Sequence, residues 1–347
     1  MQTFIVSLLV FGIIIIVHEF GHFAAAKSVG IKVDEFSIGM GPKLFSKQGK
    51  ETLYSLRGIP IGGFVKMEGE YYEEGSPESN NPRNFNNKTI LQRIFVVIAG
   101  VIMNFLLAII IFTLIALQNG VPAGDTIITE IVEGSPASMA GFLPGDIIRE
   151  ANGKKIKNRS DLDTIIKTNP NEELEFKVQR GEKEELIALY PIIGEGEEKL
   201  GFLGIVGEGY KLEKQGLFGS IKYAIGETTR LMVFILASFK FLFTGHIGIE
   251  SFSGPVGIIK IIDETAKVGF MPLLYLTGFM SANIGFINLL PIPGLDGSKI
   301  LFILYEGISG KPIDRKKEGF LTMLGFAFLI GLFILITYND LTTFLGK

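Results

Sequence analysis

Ile13-Ile14-Ile15-Ile16-Val17-His18-Glu19-Phe20-Gly21-His22 is the stretch around which the chain is organised. Two histidines and a glutamate sit inside an apolar run close to residue 1. On a helix His18 and His22 stand at i and i+4, so both imidazoles project from one face and can grip a single metal ion. Glu19 lies beside His18, where it can reach a water at that metal and act as general base. The pattern is HExxH, usually a zinc site. A five-residue pattern arises by chance in soluble helices, but the setting here argues against chance. An ionisable side chain costs at least about 2.5–3.5 kcal/mol at the centre of a bilayer, so such groups are rare in membrane segments and functional by default.

Composition supports that setting. The 347 residues are 47% hydrophobic with a mean hydropathy of +0.39, which calls for several membrane spans plus some water-exposed mass. The formal net charge of −3 argues against nucleic-acid binding. There is no cysteine, so no disulfide and no thiolate site can form, and a zinc ion has to be held by histidine and carboxylate. Two of the three histidines are in the motif; the third, His246, lies in a glycine-rich loop and reads as a surface residue. The first apolar run lacks the basic start and small-residue cleavage site of a signal peptide and carries the motif, so it reads as a retained span.

In chain order, the first span is expected over residues 4–26, followed by Lys27 and Lys32. Residues 33–70 read as strands, with short strands at 43–45 and 53–56 around a turn at Gln48-Gly49; the functional reading is a sheet edge that an extended peptide could join. Residues 73–88 read as a polar loop. The second span covers 94–117 and is interrupted by Asn104, which either bonds across helices or belongs to the site. Residues 122–206 change to a charged, mixed pattern of one compact α+β domain, with an alternating segment at 125–132, a short helix at 162–167 and strands at 173–179 and 185–190. Residues 217–244 are apolar but punctuated by Lys222, Glu227, Arg230 and Lys240; amphipathic helices lying at the interface are the preferred reading, a tilted or re-entrant helix the second. The third span covers 270–290 and ends in Asn288-Leu289-Leu290-Pro291-Ile292-Pro293-Gly294-Leu295-Asp296-Gly297. Two prolines break the helix there, and broken backbone at membrane depth is tolerated only beside protein or a water-filled cavity. Asp296 is therefore placed to be the carboxylate that His18 and His22 lack. The fourth span covers 320–338. Lys27, Lys32, Arg83 to Arg93 and Lys299 to Lys317 would share one side, and the positive-inside rule makes that side cytoplasmic, with the inserted domain outside.

These motifs resemble the site-2 protease family of intramembrane zinc metalloproteases, of the bacterial RseP/RasP type with one PDZ domain. HEFGH and NLLPIPGLDG together are a highly specific pair. Gly62-Gly63-Phe64-Val65-Lys66-Met67 is similar to the family's membrane-associated, substrate-clamping sheet, and Ser253-Gly254-Pro255-Val256-Gly257 is also family-like. Gly141-Phe142-Leu143-Pro144-Gly145-Asp146 resembles the signature of a permuted bacterial PDZ domain, with Gly201-Phe202-Leu203-Gly204-Ile205 as its carboxylate-binding strand. The resemblance implies Zn²⁺ held by His18, His22 and Asp296, Glu19 as catalytic base, and substrate backbone bound by Asn288 and by Gly62, Gly63 and Phe64.

The expected fold is thus an α-helical polytopic membrane protein of about four spans, with a membrane-associated β-sheet and an inserted α+β PDZ-like domain. Residues 1–120 form the first part of the membrane domain, 121–208 the PDZ-like domain, 209–268 interfacial helices and 269–347 the second part. The implied function is regulated intramembrane proteolysis of single-span membrane proteins in the cell membrane, such as trimmed anti-sigma factors or signal-peptide remnants, with a site-1 protease acting upstream on the same substrate. The active site would face the cytoplasmic side. The alternative is a PDZ-type membrane scaffold or holdase with a non-catalytic metal site. It is disfavoured because a structural zinc is closed by a fourth protein ligand, for which no His or Cys is available.

Overall fold

The computed structural model describes residues 2–70, 81–123, 126–156, 159–193, 201–206, 211–245, 248, 253–311 and 313–345. His246 and residues 73–80 of the polar stretch expected over 73–88 lie outside the described residues. The chain divides into two compact units, one made of residues 1–111 and 253–347, the other of 112–252.

The first unit is built on helices. Helix α1 (Gln2–Ser28) carries the HExxH motif without an interrupting proline and unwinds at Gly30, whose φ of +72° only glycine adopts freely. Two strands follow, β1 (Val33–Gln48) and β2 (Leu53–Met67). Their turn falls where Gln48-Gly49 predicts it, with Gly49 N–H donating to Thr52 O at 2.9 Å. Both strands are longer than the sequence reading expected, and each bends back on itself. Residues 35–38 pair with 53–56 on one side and with 63–66 on the other, while 43–48 pair with 53–57. Glycines with positive φ, Gly39, Gly41 and Gly62, stand at the bends. The result is a four-segment sheet, antiparallel at its two outer pairs and parallel between 35–38 and 53–56, in which 63–67 forms an edge, with no strand paired to its outer side among the described residues. Helix α2 (Ile90–Asn119) is the second long apolar helix.

The second unit begins in the last turns of α2. Strands β3 (Val121–Ala123), β4 (Thr126–Ile127) and β5 (Glu130–Ile131) lead into helix α3 (Pro136–Ala140); β6 (Ile147–Ala151), β7 (Lys154–Lys155) and helix α4 (Arg159–Thr168) follow. Then come β8 (Leu174–Arg180), β9 (Lys183–Leu189), β10 (Ile192–Ile193), β11 (Gly201–Phe202), β12 (Ile205–Val206) and β13 (Lys211–Glu213). The main sheet runs β4-β6-β8-β9 with β7 on β6, and its core joins Ile128, Phe142, Ile148, Leu162, Phe176, Val178 and Leu203. This is the inserted α+β domain. Two local readings are corrected. The alternating run at 125–132 is not one strand: Ile128 turns inward and donates its N–H to Asp146 O, so β4 and β5 join different sheets. The run 201–205 is likewise split, because Gly204 takes φ +77° and the carbonyls of Leu203 and Gly204 accept from Ala137 and Val132 N–H. Helix α5 (Leu217–Phe243) closes this unit as one continuous helix in place of several, packing against α4 with Arg230 reaching Asp161 at 3.7 Å.

The first unit resumes with α6 (Pro255–Val268), α7 (Phe270–Asn288), α8 (Asp296–Ser309) and α9 (Arg315–Leu345). Among the described residues four helices are long and apolar enough to cross a membrane: Thr3–Ser28, Ile90–Asn119, Phe270–Asn288 and Lys316–Thr342. α5 is not among them. α7 stops two residues short of the expected 290, before Pro291 and Pro293, neither of which can donate to a helical ladder.

Candidate metal centre

Helix α1 carries His18 and His22 into the helical unit, where both are buried. Their rings meet edge to face at 85° with centroids 4.8 Å apart. The third group arrives from the break after α7. Gly297 lets that segment fold back tightly, since a Cβ there would lie 2.3 Å from the carbonyl oxygens of Leu289 and Leu290. The loop in turn rests on α9 at Gly325, where a Cβ would collide with Pro293 O. Asp296, the first residue of α8, is thereby aimed at the histidines.

The donor atoms form a nearly equilateral triangle. His18 Nε2 and His22 Nε2 are 3.2 Å apart, and Asp296 Oδ2 lies 3.2 Å from the first and 3.4 Å from the second. Zinc bonds of about 2.0–2.1 Å at the tetrahedral angle give ligand-to-ligand edges of about 3.4 Å, which this triangle matches. The chemistry agrees with the spacing. A backbone carbonyl only accepts, so His22 Nδ1, 2.9 Å from Val96 O, carries the ring proton, and its Nε2 lone pair faces the centre. Asp296 Oδ2 is buried without a hydrogen-bond partner among the described residues. Lone pairs converging on one point with no proton between them fit a cation. These are also the one group of three or more His, Asp or Glu residues arranged to hold a metal among the described residues.

The surroundings are shaped for closeness. Gly100 on α2 faces the two imidazoles: a Cβ there would lie 2.3 Å from His22 Nε2 and 2.8 Å from His18 Cε1. Gly21 does the same for the helix pair, its Cβ position falling 2.5 Å from Ala99 O. Asn104, fully buried, reaches within 3.4 Å of His18 Nδ1. Glu19 projects toward the edge segment of the sheet, and a side chain on Gly63 would meet Glu19 Cγ at 2.9 Å and Ser37 O at 2.8 Å. At the end of that segment Glu70 pairs with Lys299, one turn beyond Asp296 on α8. Asn288, the last residue of α7, is half-buried and makes no side-chain hydrogen bond to a described residue.

The structure brings His18, His22, Asp296, Glu19 and Gly63 together. Gly62 lies at the bend before the edge segment, against the Met40 side chain, and Phe64 stacks under Arg57, 4.9 Å from its guanidinium carbon. Gly201 to Ile205 belong to the other unit. Gly100 and the Glu70–Lys299 pair escaped the sequence reading. A glycine four residues before a polar residue on an apolar helix was the available signal for Gly100, but its meaning depends on a partner helix 78 and 82 positions away.

Comparison with known proteins places this architecture. The model of peptidase family M50 matches residues 6–332. A putative zinc metalloprotease of Clostridium acetobutylicum is 36% identical, with 97% of this chain and 96% of that protein covered. The regulator of sigma-W protease RasP of Bacillus subtilis is 31% identical, with 98% of each covered. A crystal structure of the PDZ domain of an SdrC-like protein from Listeria innocua aligns at 19% identity with a TM-score of 0.23, covering 26% of this chain and 99% of that one. With the family model matched over nearly the whole chain and relatives aligned end to end, the chain belongs to peptidase family M50, the site-2 proteases, and is a zinc metalloendopeptidase of intramembrane proteolysis.

Proposed function

We propose that His18, His22 and Asp296 hold the zinc ion, that Glu19 is the catalytic base, and that the substrates are single-span membrane proteins cut within or near the bilayer. The observation that carries this reading is the triangle of three buried donor atoms with edges of 3.2, 3.2 and 3.4 Å. When bound, zinc supplies Lewis-acid polarisation of the scissile carbonyl and water of lowered pKa, near 7. Val96 fixes the tautomer of His22, and Asp296 contributes the negative charge that neutral imidazoles lack. Glu19 takes the proton of the attacking water and returns it to the departing amide nitrogen.

A substrate helix shields its own amides, so it must unwind before attack. The segment 63–67 offers a sheet edge, with no strand paired to its outer side among the described residues, for it to join as an added strand, and Gly63, having no side chain, lets that strand come close to Glu19. Gly62 and Phe64 flank the contact, and Asn288 offers a free carboxamide to substrate backbone. In the inserted domain, 201–205 beside α4 is the candidate groove for a peptide carboxylate, its backbone N–H groups serving as an anion nest. The Bacillus subtilis relative is named as a regulator of sigma-W; by analogy, a regulatory membrane protein first trimmed by a site-1 protease is the kind of substrate expected here. The site faces the cytoplasm and the inserted domain the outside of the cell membrane.

The test is cleavage of a co-reconstituted single-span substrate, with zinc content measured in parallel. Glu19→Gln should keep wild-type zinc and lose at least about 100-fold in rate, the contribution of a positioned general base, and a chelator should abolish cleavage by the wild type. Wild-type-like turnover by Glu19→Gln would sink the assigned roles.

A further inference from the structure

We propose that Asn104 is a positioning residue for the metal ligand His18: its side-chain oxygen takes the Nδ1 proton, so that the Nε2 lone pair points at the metal. The inference rests on the assignment of His18 as ligand and deepens it. Two partners surround the ring. His18 Nε2 belongs to the donor triangle, 3.2 Å from both His22 Nε2 and Asp296 Oδ2. A neutral imidazole has one N–H and one lone pair, so if Nε2 gives its lone pair to a cation, Nδ1 must carry the proton and needs an acceptor. For His22 that acceptor is a backbone carbonyl, Val96 O. For His18 the group at Nδ1 is the carboxamide of Asn104, 3.4 Å away.

Asn104 has both kinds of atom to offer, and a half-turn about χ2 exchanges them. With Nδ2 toward the ring, Oδ1 is buried with no hydrogen-bond partner among the described residues. A buried acceptor left unpaired is destabilising. With Oδ1 toward the ring, the same atom accepts from Nδ1–H and serves the required tautomer, while Nδ2 takes the place that Oδ1 leaves. The rest of the neighbourhood is built to hold this residue in place. Ser281 Oγ on α7 donates to the Asn104 backbone carbonyl at 2.8 Å. Gly285, one turn further along α7, makes room for the side chain, since its own Cβ would stand 3.2 Å from Asn104 Cβ. Gly100, one turn back on α2, clears the space over both imidazoles. An apolar span thus keeps a fully buried amide, braced from a second helix, against the one ligand whose tautomer no backbone group sets. A helix-to-helix amide bond would need Nδ2 as donor; a ligand holder needs Oδ1 as acceptor.

That difference is the test. Asn104→Asp keeps the acceptor and loses the donor; Asn104→Leu keeps the size and loses both. Full-length protein in detergent is titrated with zinc against a chromophoric chelator, and the cobalt-loaded form is read by its d–d absorption. Removal of an outer partner of a ligating histidine weakens metal binding about 10–100-fold, so Asn104→Leu should lose that factor and shift the cobalt spectrum. Asn104→Asp should hold zinc within threefold of the wild type with an unshifted spectrum. Thermal unfolding of the metal-free proteins separates folding from binding: the metal-free melting points should agree while the zinc-induced rise shrinks for Asn104→Leu. Wild-type affinity and spectrum in Asn104→Leu would overturn the proposal, as would equal loss in both variants, which would make the donor the needed atom. If His18→Ala itself binds zinc like the wild type, the ligand assignment fails instead, and the two failures are told apart.

Discussion

At the scale of single residues the centre is made as much by missing atoms as by present ones. His18 and His22 can approach Asp296 because Gly100 and Gly297 contribute no side chain where one would intrude. Gly100→Ala puts a methyl 2.3 Å from His22 Nε2, so one of the imidazoles has to leave the triangle. Zinc affinity should fall at least tenfold, while Gly331→Ala, whose Cβ position has open space around it, should leave affinity unchanged; chelator competition reads both. Asp296→Asn keeps shape and burial but offers zinc a neutral amide, a poor ligand. Metal content and cleavage should fall together, and survival of both would make Asp296 a bystander. The histidine pair and Glu19 were legible in the sequence because i, i+4 spacing is a property of any helix, and Asp296 was legible because two prolines announce a break. Gly100 and the placement of Asn104 were not: both gain meaning only when α2 packs on α1 and α7, and no local pattern states which face of an apolar helix will be met by another.

At the scale of elements, the folding of β1 and β2 into four segments and the continuity of α5 also lay beyond local reading, since glycine bends and apolar runs admit several pairings. The packing of α6 shows how a motif of unassigned purpose becomes clear in three dimensions. Its first N–H groups have no cap from their own strand of chain; Asp340 of α9 supplies one, accepting from Gly254 N–H at 3.0 Å and Gly257 N–H at 2.8 Å. The two glycines of Ser253-Gly254-Pro255-Val256-Gly257 let the carboxylate close in, since a Cβ on Gly254 would sit 2.7 Å from Asp340 Oδ2. Carboxylates at helix N-termini are favoured by both hydrogen bonding and the helix dipole. Asp340→Ala should cost about 1–3 kcal/mol, the penalty of stranding buried donors, seen as a lower melting point in detergent with zinc affinity retained. In the inserted domain, burial pushes the Asp146 carboxyl up, but the Arg180 guanidinium at 2.8 Å and Leu143 N–H outweigh it and hold the group below the usual carboxylate range. A lowered folded-state pKa adds stability above the unfolded value of about 3.9, and that stability is lost as pH falls below it. Hydrogen exchange in β8 of the full-length protein should therefore quicken on acidification, and Arg180→Ala should quicken it already at neutral pH while shrinking the further rise on acidification.

At the scale of the whole molecule, the exposed apolar surface sets the medium. Phe320, Leu324, Phe328, Phe333 and Leu335 of α9 lie open along one helix, an extent of apolar surface that water does not tolerate and lipid does. Direction across that lipid follows from charge. Because His22 near the end of α1 meets Asp296 after the end of α7, those two helix ends lie at the same level, and cations gather around it. Lys27 and Arg83 share Glu51, Arg93 grips Glu306 through two bonds, and Lys299 holds Glu70. The acids do not cancel the signal, since topology follows Lys and Arg and is little affected by Asp and Glu. Residues 28–90 and 296–315 should then be cytoplasmic and the inserted domain external. The chain has no cysteine, so one introduced thiol is a unique label site with no background to remove. Lys50→Cys and Lys154→Cys make the same charge change at two exposed positions, one in the turn between β1 and β2 and one on β7. In intact cells or right-side-out spheroplasts a membrane-impermeant maleimide should label Cys at 154 and spare Cys at 50, and detergent should open both equally. Labelling at 50 alone would reverse the orientation, leaving the chemistry at the metal intact but placing the substrate's cut on the external side.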